Sequence, residues 1–356
     1  MNRLESAAYI EDLKSICEEK IPYKKLDGCR ILVTGATGLI GSCIVDAFMY
    51  LKNHYGIALK ADILCRSKNR AEELFREYGD DDDFGIVEGD LTRYFILDKE
   101  YDYMIHGAGN NHPVAFSKEP VETMKTALMG TMSLLDSIVK QKSSSDKEPK
   151  FLLLSTGEVY GNNTESGENG SLETDIGIVD QMAPRSCYPE AKRAAETLCV
   201  SYANEYGIRT NIARLSYIYG ATFQESSTKA DVQFLQKAIQ GEDIVMKSAG
   251  SQLRSYCYLS DAVRGIMHIL LNGTDGEVYN VANKNSNVTI REFAQTLANL
   301  AGVKVVFENP DDVEQKGYSK LGKELLDPSK LETLGYCSKV DLKEGLRKIV
   351  SIRQER

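Results

Sequence analysis

The run Arg30-Ile31-Leu32-Val33-Thr34 passes without a break into Gly35-Ala36-Thr37-Gly38-Leu39-Ile40-Gly41, and apolar side chains continue to about residue 53. A short apolar run followed by a longer apolar segment reads as a buried strand and then a helix. Three glycines, three residues apart, sit at the junction. That spacing permits a tight turn, close backbone approach to a pyrophosphate and close helix–strand contact, with the helix N-terminus facing the phosphates. Gly35, Thr37, Gly38, Leu39, Ile40 and Gly41 are therefore the first candidates for holding a dinucleotide. A glycine-rich turn with no ligand is the alternative, and the strand before and helix after favour the dinucleotide.

The alternation continues along the chain. Residues 61–65 read as a second strand, with Cys65 where a ribose-binding acid is expected and Arg66, Ser67 and Arg70 following. The missing acid and the guanidinium groups suit a 2′-phosphate, so NADP stands beside NAD; solvated helix-start residues are the other reading of these arginines. Residues 85–88 give a third strand, with Asp90 and Leu91 at the adenine edge of the crevice. Residues 103–106 give a fourth, ending in Gly107-Ala108-Gly109, where small residues let the backbone pass a cofactor. A helix spans roughly 118–140, and strands follow at 151, 209–215 and 276–282. This order predicts an α/β, Rossmann-like, doubly wound parallel sheet with a smaller mixed α/β substrate-binding lobe. The expected division is a helical extension at 1–28, a dinucleotide-binding domain at 29–219 plus 255–282, and the substrate lobe at 220–254 plus 283–356. In the extension, Leu4, Ala7, Ala8, Leu13, Ile16 and Cys17 form the apolar face of a helix, expected to pack on its own domain rather than on a partner.

Composition limits the partners. The chain has 356 residues, 42% hydrophobic and 27% charged, enough for a full core. A net charge of −9 without a long basic run argues against nucleic acid and against an anionic membrane. Eight cysteines without a CxxC pair and four scattered histidines suggest neither a disulfide framework nor a metal site. The polar first residues and the lack of a long apolar run point to a cytoplasmic protein.

Chemistry concentrates between 151 and 192. The apolar strand beginning at Phe151 ends in Ser155-Thr156-Gly157-Glu158, and strand ends of an open parallel sheet face the ligand crevice. Tyr188 and Lys192 are four apart on a helix that Pro189, tolerated only in a first turn, makes start near Tyr188, with Ser186 or Cys187 as its cap. A nearby ammonium favours the phenolate, so Lys192 is expected to lower the pKa of Tyr188 and make it a general base. Taken alone, the YxxxK pattern is also a common surface pair; the dinucleotide turn is what gives it meaning.

Together these residues resemble the extended short-chain dehydrogenase/reductase family, from about residue 29 to 350. Within it, the chain is similar to UDP-glucuronate decarboxylases (UDP-xylose synthases). The likeness is carried by His106-Gly107-Ala108-Gly109-Asn110-Asn111-His112-Pro113, by Ser155-Thr156-Gly157-Glu158-Val159-Tyr160-Gly161 and by Pro184-Arg185-Ser186-Cys187-Tyr188-Pro189-Glu190-Ala191-Lys192-Arg193. It extends to Arg254-Ser255-Tyr256-Cys257-Tyr258-Leu259-Ser260-Asp261 and Asp327-Pro328-Ser329-Lys330. The resemblance implies that NAD(P) takes a hydride from C4 of a nucleotide-linked sugar. Tyr188 would remove the hydroxyl proton, Lys192 would hold the nicotinamide ribose, and Thr156 would hydrogen-bond the hydroxyl. Glu158 would assist chemistry near C5. Arg254 would hold the diphosphate or the sugar acid, with Arg185 and Arg214 in support; a purely structural role is the alternative for Arg214, at a strand end. Asn110 and Tyr217 would face the substrate.

The resemblance has departures. Gly157 stands where the family's dehydratases carry an acid and its decarboxylases usually a serine. Tyr217 replaces a substrate-facing asparagine, and Glu324 and Leu325 replace paired arginines, leaving Lys323 as the nearest cation. Decarboxylation therefore stands first, with 4-epimerisation or 4,6-dehydration of a UDP-, dTDP- or CDP-hexose as the alternative. A non-catalytic cofactor-binding sensor is the reading from another class, weakened by the presence of both Tyr188 and Lys192. The family likeness also implies a homodimer through the helices at 118–140 and 187–206, where Met124, Leu128, Leu198 and Val200 offer apolar surface.

Overall fold

The computed structural model describes residues 3–354 except 111–112, 146, 164–165 and 310–320, so Asn111 and His112 of the family motif lie outside the described residues. In chain order the helices are α1 (Ala7–Cys17), α2 (Leu39–Tyr55), α3 (Lys68–Leu74), α4 (Pro113–Lys118), α5 (Pro120–Ser144) and α6 (Cys187–Tyr206). They continue as α7 (Ala230–Ile239), α8 (Leu259–Asn272), α9 (Ile290–Ala301), α10 (Ser329–Glu332) and α11 (Leu342–Gln354). The strands begin with β1 (Arg30–Thr34), β2 (Lys60–Cys65), β3 (Phe84–Glu88), β4 (Tyr103–His106), β5 (Lys150–Thr156), β6 (Arg209–Leu215) and β7 (Tyr217–Tyr219). Six short ones follow: β8 (Ile244–Met246), β9 (Leu253–Tyr258), β10 (Val278–Val281), β11 (Asn287–Thr289), β12 (Val305–Phe307) and β13 (Lys323–Glu324).

Seven strands form the main sheet in the order β10-β6-β5-β4-β1-β2-β3, every pairing parallel. Parallel strands covered on both faces are apolar along their whole length. Accordingly, residues 150–154 of β5 and 31–34 of β1 are buried without interruption. The chain runs outward from β1 to β3, then returns to β4 on the other side of β1. Such a reversal opens a crevice beyond the carboxyl ends of the strands. Thr34, His106 and Thr156 are the last residues of the three strands that flank it.

The residues before β1 are bound into this body. Helix α1 packs on α2, α8 and α11. The Tyr258 hydroxyl donates to Asp12 at 2.6 Å, and Arg264 pairs with Glu19 at 2.7 Å. Tyr9 and Arg3 both reach the buried Asp46, at 2.7 and 2.6 Å.

A second, smaller sheet is built around β9. It pairs with β7 and β13 in parallel and with β11 antiparallel, while β12 pairs with β8. Helices α7, α9 and α11 pack on one another over these strands. The register places Glu324 opposite Arg254 and Tyr217 opposite Tyr256. This lobe thus delivers side chains to the same end of the molecule as the carboxyl end of β5, where Glu158 and Arg185 act on both Glu324 and Tyr217.

Candidate active site

Gly35 ends β1 with φ 71°, and a Cβ there would lie 2.6 Å from the Gly107 carbonyl and 2.7 Å from the Ala108 nitrogen. Only glycine combines that conformation with so close an approach. A Cβ on Gly41 would come within 2.4 Å of the Gly35 oxygen, so α2 leans directly on the turn. Gly38 occupies the N-cap of α2 in an extended conformation, with no side-chain cap. First-turn N–H groups lack intrahelical acceptors and carry a partial positive charge, so those of Leu39 and Ile40 are available to an anion. The Thr37 and Leu39 carbonyls are tied to Gln224 and Thr222 of the smaller lobe, at 2.7 and 2.8 Å. Glycine contacts of this closeness at the N-terminus of a long helix fit a pyrophosphate.

The other cofactor candidates lie along the same edge. The Gly107 and Ala108 N–H groups donate to the Thr34 carbonyl and hydroxyl, both at 3.2 Å, while Gly109 borders open space. Thr34 also shares a proton with His106 Nδ1 at 2.7 Å; burial, then the charge of Lys192, push that imidazole down to about 3 and keep it neutral. Asp90 accepts from the Thr92 N–H and hydroxyl, which holds its carboxyl below the usual range, with Arg93 and Arg66 contributing. Leu91 is buried. Ser67 caps α3 by accepting from the Arg70 N–H at 3.4 Å, and Arg66 is exposed. Asn110 donates to Thr123 at 3.3 Å.

Helix α6 starts at Cys187, after a tight turn at Pro184–Ser186. Ser186 holds the N-cap position but does not cap: its hydroxyl donates to the Asp180 carbonyl at 2.5 Å. Pro189 falls in the first turn, where its missing N–H has no cost. Tyr188 stacks on Phe116 of α4, with ring centroids 4.7 Å apart and planes at 21°. Thr156 Oγ1 accepts from the Glu158 N–H at 3.3 Å and favours ionisation of the neighbouring Tyr188 phenol. One turn on, the buried Lys192 Nζ donates to the Leu154 carbonyl at 2.8 Å. Burial pushes this lysine down to about 8, against the pull of Glu196.

One electrostatic expectation is corrected. Tyr188 is not acidified; burial, and then the charge of Glu158, raise it well above the ordinary phenol value. Thr156 and the charge of Arg185 oppose the rise without reversing it. Lys192 donates instead to the Leu154 backbone, so its ammonium does not serve the phenol directly.

Beyond Tyr188 lies a cluster of charges. Arg185 grips Glu158 with two hydrogen bonds, 2.5 and 3.0 Å long. The Arg254 guanidinium, 5.3 Å from the Tyr217 ring centroid, donates to the Leu253 and Leu321 carbonyls at 3.0 and 2.9 Å. The Tyr217 hydroxyl donates to Glu324 at 3.0 Å. Glu324 was not among the candidates read from the sequence; the only signal was its standing where the family has an arginine. Phe116 gave no signal at all. Arg214 takes the structural option, pairing with Glu196 at 2.7 Å beneath the site and lying over the Tyr160 ring. A Cβ on Gly157 would press within 3.1 Å of Leu326, so that leucine fills the side where a longer residue would project.

The turn, the strand-end hydroxyl and the YxxxK helix thus converge on one crevice. The chain matches the NAD dependent epimerase/dehydratase family over residues 31–282. It belongs to that family. Among relatives of the family, UDP-glucuronic acid decarboxylase 6 of Arabidopsis thaliana is 32% identical over 321 residues, covering 89% of this chain and 86% of the relative. UDP-glucuronic acid decarboxylase 1 of Danio rerio is 29% identical over 96% of this chain and 77% of its own length. In fold, the chain is similar to dTDP-glucose 4,6-dehydratase from Streptomyces venezuelae, solved with NAD, at 26% identity and TM-score 0.75 over 92% of this chain and 97% of that one. UDP-glucose 4-epimerase from Thermotoga maritima, 24% identical, has the same architecture at TM-score 0.75 over 92% of this chain and 99% of its own. The cofactor of this epimerase/dehydratase family is NAD, and the glycine turn fits it. Among the described residues, no helix is long and apolar enough to cross a membrane.

Proposed function

We propose that this chain is an NAD-dependent nucleotide-sugar enzyme that oxidises the sugar at C4 to a ketone, and that its net reaction is decarboxylation of UDP-glucuronate. The convergence of Thr156, Tyr188 and Lys192 beside the dinucleotide turn carries the C4 reading. The decarboxylase names of the curated relatives carry the choice of reaction. NAD, held by the turn at 35–41, by Asp90, Leu91 and 107–109 and by Lys192, supplies the acceptor and later the donor of the C4 hydride. Arg66 and Ser67 leave NADP as the alternative; the NAD dependent family to which the chain belongs favours NAD.

Within the protein, Thr156 hydrogen-bonds the C4 hydroxyl and Tyr188 takes its proton. The raised phenol holds its own proton in the free protein, so Tyr188 becomes a base only when positive charge nearby offsets its burial. The C4 ketone then accepts the electrons of the C5–carboxylate bond as CO₂ leaves, and C5 regains a proton. Glu158, fixed by Arg185, borders that carbon, while Asn110, Tyr217 and Arg254 contact the substrate.

Incubation with NAD and UDP-glucuronate is expected to give CO₂ and a UDP-pentose. Turnover of UDP-glucose instead of UDP-glucuronate removes decarboxylation and leaves C4 oxidation standing. That second outcome, 4-epimerisation, is favoured by one observation: Glu324 puts a carboxyl beside Arg254. Dehydration is disfavoured because Gly157 offers no acid and Leu326 fills its place. All eight cysteines are free, in keeping with a cytoplasmic location. A homodimer through α5 and α6, which pack together and leave Met124, Met132 and Val200 exposed, belongs to the same proposal, and a monomeric mass by light scattering would reject it.

A further inference from the structure

Arg254 is the cation best placed to meet a sugar acid, yet its side chain is only 1% exposed and both terminal nitrogens are committed to backbone carbonyls. What remains is Nε, buried without a hydrogen bond and 3.7 Å from Glu324 Oε2. The parallel register of β13 on β9 holds the two residues side by side, and the Tyr217 hydroxyl fixes the carboxyl from the other side. The two terminal nitrogens of Arg185 are occupied by Glu158, while its Nε is also buried without a hydrogen bond. Among the described residues, the charged groups that act on one another here are two guanidinium groups and two carboxyls, which balance when both carboxyls are ionised. A sugar carboxylate would be a third anion in a buried site, and an uncompensated buried charge is costly.

We propose that Glu324 is a specificity-determining residue, a resident carboxyl that holds the place of a sugar carboxylate beside Arg254 and must take up a proton before an acidic sugar can bind. The inference rests on the nucleotide-sugar reading. With Glu324 neutral, the pocket gains one net positive charge and accepts a uronate. With Glu324 ionised, it is balanced and suits a neutral hexose. The groups facing this carboxyl are Glu158 from the turn after β5, Arg185 from the turn before α6, Tyr188 from the start of α6, Tyr217 from β7, and Arg254 and Tyr256 from β9. Burial and the charge of Glu158 raise Glu324 to about 7, against Arg254, so the proton exchanges near neutrality.

Titration calorimetry of the full chain with saturating NAD tests this on binding alone. Affinity for UDP-glucuronate is expected to fall about tenfold per pH unit above roughly pH 7, while affinity for UDP-glucose stays level. Glu324→Gln, which keeps shape and the Tyr217 contact, should remove the slope and bind UDP-glucuronate at least tenfold more tightly than wild type at alkaline pH. A wild type with the same pH dependence for both sugars overturns the proposal without any variant. So does a slope that persists in Glu324→Gln. Both sugars binding as expected without product formation contradicts the reaction reading only, whereas binding of neither contradicts both.

Discussion

Tyr188→Phe is expected to lower turnover roughly 100- to 10,000-fold, the range that a positioned general base contributes, while leaving NAD affinity unchanged. The substitution deletes one oxygen and keeps the ring that stacks on Phe116 at 4.7 Å. Helix α6 keeps its start, because the turn at 184–186 and the Ser186 bond to Asp180 do not involve the phenol. Lys192 keeps its bond to the Leu154 carbonyl. What disappears is the phenol oxygen beside Thr156, the group that would receive a proton from a sugar hydroxyl. Initial rates and NAD titrations on the same preparation check the split. Full activity would mean that the proton leaves by another route; lost NAD binding would mean that the phenol is part of the dinucleotide site.

Gly35→Ala is expected to cost several kcal/mol of stability and to abolish NAD binding. Two effects add. The left-handed conformation at φ 71° costs an alanine about 1–2 kcal/mol. The new Cβ would also meet backbone atoms of 107–108 at 2.6–2.7 Å, and overpacking of that kind costs about 1–3 kcal/mol or more. Backbone at the end of a central strand cannot rotate away as a side-chain tip can. Gly56→Ala is the control: its φ is 67°, but nothing lies within 4 Å of its Cβ, so it should lose only the conformational part and bind NAD normally. Thermal unfolding with and without NAD compares them, and equal losses would show that the close approach of the two strand ends is unimportant.

Local pattern made much of this molecule readable. Most of the main strands are apolar runs bounded by glycine or polar residues, and the turn at 35–41 announces itself by its glycine spacing between a strand and a helix. Tyr188 and Lys192 fall on one helix face because 3.6 residues make a turn. The electrostatics were harder, since they depend on what packs nearby. The direction of the Tyr188 shift follows from burial under Phe116 and from the charge of Glu158. Phe116 lies on a separate helix, and no spacing rule links it to Tyr188. Ser186 has a capping residue's identity, but the preceding turn gives it helical angles and directs its hydroxyl to Asp180. Arg214 sits at a strand end like a ligand-binding residue, and only its bond to Glu196 identifies it as structural. Glu324 belongs to a two-residue strand, too short to carry a period, whose place is decided by pairing with β9.

The most direct test of the central claim is a single turnover with enzyme, NAD and a nucleotide sugar carrying deuterium at C4, followed by the absorbance of reduced nicotinamide and by mass analysis of the product. C4 oxidation predicts that reduced nicotinamide rises and then decays, that its appearance slows with the deuterated sugar, and that the label returns to C4 of the product. Product formed with no reduced nicotinamide and no isotope effect would contradict it.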